Sequence, residues 1–406
     1  MNPATPLPYL TPDLPGTGGQ IKSVPADFCV EEIPRYAPGG QGQHIYLTFQ
    51  KTGLTTLQAI NMIARALNVR RRNIGYAGLK DSHAITQQTI SIDSAPPEKV
   101  AQLSLPGIKI ISVNRHRNKL KLGHLLGNKF VIRIRRVGPE ATALAEPILN
   151  CMQAQGVPNY FGHQRFGIRN NTHRLGLAII QNNPAQFLTE FLGNPHPQEN
   201  PLAQQARRQF DLGRRSEALA AWPPMLRQER AVLQRLVSTG DETAALNALD
   251  KRLKRLFVSA CQSHLFNQLL AQRIGTLSTV EPGDVAYIHQ KGACFVVKSA
   301  AAEQPRADRF EISPAGPLFG SKYLPAEGEP GDREAAILKT TGVLPADFNV
   351  PGVNLGGGRR PYRVPLKDVE YRCDDDGLVL SFALPPGSYA TVALREVMKA
   401  GKPAPL

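Results

Sequence analysis

The sequence predicts a mixed α/β (α+β) protein of two domains, one of them discontinuous, on three observations. The chain has 406 residues, beyond the size at which a single hydrophobic core keeps growing. Strand-like alternation and helix-like spacing succeed each other up to about residue 135 and again after about 345. Between them, from about 159, lie a motif-rich loop and a helical region dense in arginine: Arg207, Arg208, Arg214, Arg215, Arg227, Arg230 and Arg235. The simplest account is an extended arm over 1–20, a discontinuous domain of 21–158 and 351–406, and an insertion over 159–350.

The first twenty residues are broken by proline and lack the basic start and apolar run of a signal peptide, hence the extended arm. In 43–50, Ile45, Leu47 and Phe49 alternate with Tyr46 and Thr48, the pattern of a strand with one buried face. Leu57, Ile60, Ile63, Ala64 and Leu67 then recur at helical spacing, with Thr55 or Thr56 placed to cap the first turn. Segments 88–93 and 108–113 read as short strands, and Phe130, Ile132 and Ile134 alternate with Val131, Arg133 and Arg135, giving a sheet with a basic edge or face. In the insertion, Lys251-Arg252-Leu-Lys254-Arg255 reads equally as a solvated helix face or an RNA contact. Gly356-Gly-Gly358-Arg359-Arg360 lacks the ending of a nucleotide-binding loop and reads as a hinge with two arginines available for phosphate, or as a plain glycine-rich loop. Asp374-Asp375-Asp376 before Gly377 reads as a hairpin turn, followed by a strand at 378–384 and an amphipathic helix at 392–398.

Composition narrows the function. A formal net charge of +15 makes a polyanion the expected partner, nucleic acid ahead of membrane, because no long apolar segment or basic amphipathic anchor stands out. The cysteines at 29, 151, 261, 294 and 373 are odd in number and widely spaced, which argues against a disulfide framework or structural zinc and for a cytoplasmic protein with reduced thiols.

The most informative stretch is Asn73-Ile-Gly-Tyr-Ala-Gly-Leu-Lys-Asp81-Ser-His83-Ala-Ile-Thr86-Gln-Gln. It sets one carboxylate beside a lysine among small and hydrogen-bonding residues, as a loop that keeps a nucleophilic Asp ionised would. Gly75 and Gly78 permit tight turns and close approach of a ligand. The competing reading is a surface turn in which Asp81 caps the next element.

This stretch resembles the signature of the TruD family of tRNA pseudouridine synthases, a Gly-x-Lys-Asp-x-x-Ala-x-Thr-x-Gln pattern, here Gly78 to Gln88. Further blocks follow in family order: Ile21-Lys22-Ser-Val-Pro25-Ala-Asp27-Phe28, Gly127-Asn128-Lys-Phe130, and Pro158-Asn159-Tyr160-Phe161-Gly162-His-Gln164-Arg165-Phe166-Gly167. Ser263-His-Leu265-Phe266-Asn267, Gly316-Pro317-Leu318-Phe319-Gly320 and Leu384-Pro-Pro386-Gly387-Ser388-Tyr389-Ala390-Thr391 carry the resemblance across roughly 20–398. It implies a pseudouridine synthase catalytic core, a mixed and largely antiparallel sheet flanked by helices, interrupted by an inserted α/β TRUD domain. It implies isomerisation of a tRNA uridine, at position 13 of the D arm, to pseudouridine by a monomer.

That reaction needs one nucleophile and is redox-neutral, so no metal and no organic or small-molecule cofactor is expected, and the sequence holds no phosphate-loop, dinucleotide or paired-histidine motif. The resemblance makes Asp81 the catalytic residue, and Lys22, rather than the adjacent Lys80, the cation that keeps it charged under RNA. It assigns Phe28, Phe130 and Tyr389 as ring surfaces for the target nucleotide, although each read alone would be core, Phe130 especially from its place in the strand alternation. Asn128 suits a uracil edge, the ribose, or orientation of the Asp81 loop; a turn residue after Gly127 competes. Tyr389 departs from the Phe expected in bacterial members. His83 is read as loop structure or RNA contact rather than a base. The rival function is a tRNA-binding or RNA-chaperone protein on the same fold without catalysis, against which the intact Asp81 motif argues; a metal-dependent nuclease lacks its clustered carboxylates.

Overall fold

The computed structural model describes residues 6–93 and 95–399; residues 1–5 of the expected arm and the end of the chain from 400 lie outside the described residues. The described residues divide into two compact units, one of Thr11–Val157 with 364–399, the other of Pro158–Arg363 with 6–10.

The first unit is built on one sheet of β1 (Phe28–Pro34), β2 (His44–Thr52), β3 (Ile74–Tyr76), β4 (Ile85–Asp93), β5 (Ile108–His116), β6 (Leu125–Ile134), β7 (Lys367–Asp374) and β8 (Gly377–Leu384). The order is β7-β8-β6-β1-β4-β2-β5, with β3 also paired to β4. Every pairing is antiparallel except β1 with β4. β1 and β3 share one edge of β4: Cys29 to Glu31 lie opposite Ile85 to Gln87, and Ile74 to Tyr76 opposite Ile92 to Ile90. The chain between β3 and β4 carries Asp81.

β2 keeps the expected alternation but buries both faces, since Tyr46 on the opposite face packs with Ala77, Leu120 and Leu125. Ile45, Leu47 and Phe49 pack with Ile90 and Ile92 of β4 and with Ala59, Ile60 and Ile63 of the helix Thr56–Ala66 into one core. Thr55 is the cap, accepting from the Gln58 amide while Gln58 Oε1 accepts from the Thr55 N–H at 2.8 Å. β8 is buried along its whole length, which is why its sequence is a near-continuous apolar run. The triplet 374–376 forms the β7–β8 turn, and its acids account for the basic face expected on β6. Arg133 pairs with Asp374, and Arg135 with Asp376 and the buried Asp27. Those arginines are committed within the protein.

The second unit combines helices, the longest Lys251–Gln272, with an antiparallel four-stranded sheet ordered Gly358–Pro361, Ile312–Leu318, Val285–Ile288, Cys294–Val296. Here one expectation is corrected, and the arginine-rich helical region is partly interior. The 356–360 segment supplies an edge strand in place of a hinge; Arg359 is locked to Glu334 at 2.5 Å with both side chains buried, and Arg360 lies over the Phe161 ring at 4.2 Å. Arg207 is interior, paired with Glu199 at 2.9 Å and set over Trp222. Apolar stems packed against rings, and internal acids, turn such arginines into packing groups. The 251–255 run opens its helix behind the Asp250 cap, with Lys251, Arg252 and Arg255 exposed.

Candidate active site

Asp81 stands on the loop from Tyr76 to Ile85, and four independent anchors hold that loop. The Lys80 amide donates to Thr56 Oγ1 at 2.8 Å, and the Thr56 hydroxyl donates onward to Gln88 Oε1. The Lys80 ammonium reaches Glu32 at 2.9 Å and Asn128 Oδ1 at 2.7 Å, both away from Asp81. From beneath, the buried Lys51 ammonium donates to the backbone carbonyls of Asp81, at 2.7 Å, and Leu54. The fourth lies just ahead of the loop, in β3: a Cβ on Gly75 would lie 2.2 Å from the Leu120 carbonyl, so the close approach that glycine permits is made by the chain itself.

The carboxylate is divided between two kinds of donor. Lys22 Nζ lies 2.7 Å from Oδ2, and the amides of Ser82 and, at longer range, His83 point at Oδ1. Burial pushes the carboxyl up, but the hydrogen bond and charge of Lys22 together with the His83 and Ser82 amides outweigh it and hold Asp81 below the usual carboxylate range. Asp81 keeps 36% of its side chain exposed while Lys22 keeps 8%, so the acid faces out and its partner sits behind. Lys22 adopts a left-handed backbone, φ 61°, rare for a residue with a side chain. The segment is held there by the paired backbones of Gln20 and Arg135 and by Asp27, 1% exposed, which binds the Arg135 guanidinium and the Val24 amide.

Under Lys22 runs a row of rings. The ammonium lies 4.7 Å from the Phe28 centroid, Phe28 meets Phe130 edge-on at 6.2 Å, and Phe130 meets Phe382 at 5.6 Å. Phe28 and Phe130 are 6% and 7% exposed. Asn128 lies within β6 opposite Glu32 and Leu384, not in a turn, because Gly127 allows Leu384's carbonyl to approach where a Cβ would stand. Tyr389 is half-buried and immediately precedes the helix Ala390–Met398. His83 is exposed, its Nδ1 3.3 Å from Ser82 Oγ. The structure thus brings Lys22, Asp81 and Phe28 together, and Lys80 with Glu32 and Asn128 beside them.

Two contributors escape a motif reading, Lys51 and Glu32, and Asp27 lies in a quoted motif without its role being read there. Lys51 continues the buried series Ile45, Leu47, Phe49, so the strand alternation itself places a lysine in the interior. Among the described residues no three His, Cys, Asp or Glu side chains converge to hold a metal ion, and no helix is long and apolar enough to cross a membrane.

A mixed, largely antiparallel sheet interrupted by an α/β insertion is the architecture of a pseudouridine synthase core carrying a TRUD domain. The family model for tRNA pseudouridine synthase D (TruD) matches residues 6–397. A protein named tRNA pseudouridine synthase D from Geobacter metallireducens is 49% identical over 97% of this chain and 98% of its own length. One of the same name from Geobacter sulfurreducens is 47% identical over 96% of each. A solved TruD structure from Methanosarcina mazei superposes with a TM-score of 0.85 at 32% identity, covering 97% of this chain and 96% of that one. The chain belongs to the TruD family of tRNA pseudouridine synthases.

Proposed function

We propose that this protein converts a specific uridine of tRNA to pseudouridine, the uridine at position 13 by family resemblance, with Asp81 as nucleophile. The observation that carries the reading is the Lys22–Asp81 pair at 2.7 Å, which keeps an otherwise desolvated carboxylate ionised on a loop anchored from behind. The reaction breaks the C–N glycosidic bond, turns the uracil within the site and joins its C5 to the ribose. An ionised Asp81 serves at the ribose C1′, at the uracil C6, or by assisting glycal formation. Phe28 and Tyr389 offer ring surface to the extruded base, Phe130 backs Phe28, and Asn128, oriented by Lys80, faces the nucleotide's polar edge. Lys22 binds beside the substrate and holds the charge. We take the protein to act as a cytoplasmic monomer on tRNA.

The test is pseudouridine mapping in tRNA after incubation with purified protein, wild type against Asp81→Asn, with RNA affinity measured separately. The isosteric amide keeps the loop and removes the charge, so product disappears while affinity stays within several-fold. Turnover by Asp81→Asn overturns the nucleophile; binding by the wild type with no new pseudouridine favours the non-catalytic tRNA-binding reading.

A further inference from the structure

A second site lies in the first unit, on a cavity that no part of the proposed chemistry uses. It occupies about 760 Å³ between the β1–β2 connection, the end of β5 and the 117–124 loop, and Tyr36, His44, His116, Arg117, Lys121 and His124 line it. Among the described residues its lining contains no carboxylate, while Lys119 adds a further cation. Arg117 and Lys121 are exposed, so their charges are available to an incoming anion.

The polar groups are arranged as a receptor. The Gly39 amide donates to His116 Nδ1 at 3.1 Å, which fixes the proton on the other ring nitrogen and makes it a donor. The His116 ring stacks on Tyr36 with centroids 5.0 Å apart, and the Tyr36 hydroxyl meets His124 Nδ1 at 2.8 Å. His44, opposite His116 in the β2–β5 register, is 7% exposed, and its Nδ1 is buried without a hydrogen-bond partner. An unpaired buried nitrogen is costly unless a ligand or water meets it. The cationic lining with no carboxylate makes an anion the matching ligand.

The cavity wall is also the back of the Asp81 loop. Leu120 N donates to Ser91 Oγ at 2.9 Å, the Leu120 carbonyl fills the space at Gly75, and Gly123 N donates to the Ala77 carbonyl at 2.9 Å. A ligand gripped here is held at a fixed offset from the nucleophile.

We propose that this cavity is an accessory RNA pocket that takes a phosphodiester and its adjoining nucleoside from a part of the tRNA other than the target uridine, acting as a ruler for which uridine reaches Asp81. Arg117 and Lys121 neutralise the phosphate, while the Lys119 ammonium is held on the Arg72 carbonyl, and the His116 and Tyr36 rings with the His44 nitrogen meet the nucleoside. The inference rests on the tRNA reading above.

The experiment compares wild type with Arg117→Ala/Lys121→Ala, full chain, in tRNA binding across a salt series and in single-turnover pseudouridine formation. Lys298→Ala/Arg309→Ala removes the same charge from exposed positions of the other unit. The pocket variant is expected to bind about tenfold more weakly near physiological salt, with a log–log salt slope shallower by about 2, one phosphate contact per lost cation. Its affinity loss should exceed any loss of rate at saturating tRNA. An unchanged affinity and slope, or an equal loss in the Lys298/Arg309 control, overturns the pocket while wild-type turnover leaves the synthase reading standing. Absence of wild-type turnover sinks that reading instead. If inorganic phosphate or uridine 5′-monophosphate binds the wild type, binding is lost in the pocket variant, and tRNA affinity is unaltered, the site serves a small ligand and the RNA assignment falls.

Discussion

Lys22 shows how much one side chain does here: it sits in a strained backbone region, covers a phenylalanine ring and sets the charge of its neighbour. In Lys22→Met only the Ser82 and His83 amides still oppose burial, so the Asp81 carboxyl rises from its lowered position. Single-turnover formation of pseudouridine should fall about tenfold, because the charged partner of Asp81 is gone, and the wild-type advantage should widen as pH falls toward the carboxylate range, because the variant's Asp81 protonates first. A constant ratio across that range would show that Lys22 acts through binding alone. Tyr389 poses a different choice. As a stacking surface, Tyr389→Phe keeps the rate, and Tyr389→Leu lowers it by roughly 1–3 kcal/mol of lost stacking. A Phe variant as slow as the Leu variant assigns the work to the hydroxyl.

At the scale of elements, β2 ends in a buried cation. Burial pushes the Lys51 ammonium from 10.5 down to about 8, partly offset by the Asp81 charge and furthered by Lys80. The unfolded chain binds more protons in that window, so this group makes stability rise as pH climbs from 8 to 10.5. Lys51→Met should lack that rise in thermal melts and should lower kcat by about tenfold with little change in RNA affinity, since two carbonyls behind Asp81 lose their donor. In the second unit, the helices Thr172–Ile180 and Lys251–Gln272 bring His173 and His264 into a stack 4.0 Å apart. Burial pushes His173 down to about 3, furthered by the His264 charge and Arg174, and His264 down to about 4, furthered by Arg174. Both are depressed below 6.5, so stability is lost as pH falls from 6.5 toward 4, by at most about 1.4 kcal/mol per pH unit for each ring. His173→Phe should flatten the melting temperature over that range. Period-two and helical spacing exposed the β2 and β4 core, the Thr55 cap and the helix behind them, since each is written in consecutive residues. The Asp81 loop was legible through its motif. What escaped were partnerships across the fold: Glu32 with Lys80, Asp27 with Arg135, Arg359 with Glu334, where a charged residue's fate depends on what a distant strand sets opposite it.

For the whole molecule, a formal net charge of +15 with several arginines locked internally concentrates the remaining positive charge at exposed positions. Affinity for tRNA should fall steeply with salt, with a log–log slope more negative than about −4 if five or so phosphates are contacted. A flat response between low and physiological ionic strength removes nucleic acid as the ligand. The sheet order has a temporal side as well. β6 receives β8 on one edge, Val131 opposite Ser381 and Phe130 opposite Phe382, yet Pro158–Arg363 leaves the ribosome in between. Throughout that interval the nascent chain carries an open strand edge in the very layer that holds Phe130 and Asn128, so the second unit finishes its own folding while the first waits for its closing hairpin. Chains stopped just before Lys367 should therefore be aggregation-prone rather than merely inactive, and slowing synthesis across the insertion should lengthen the exposure of that edge.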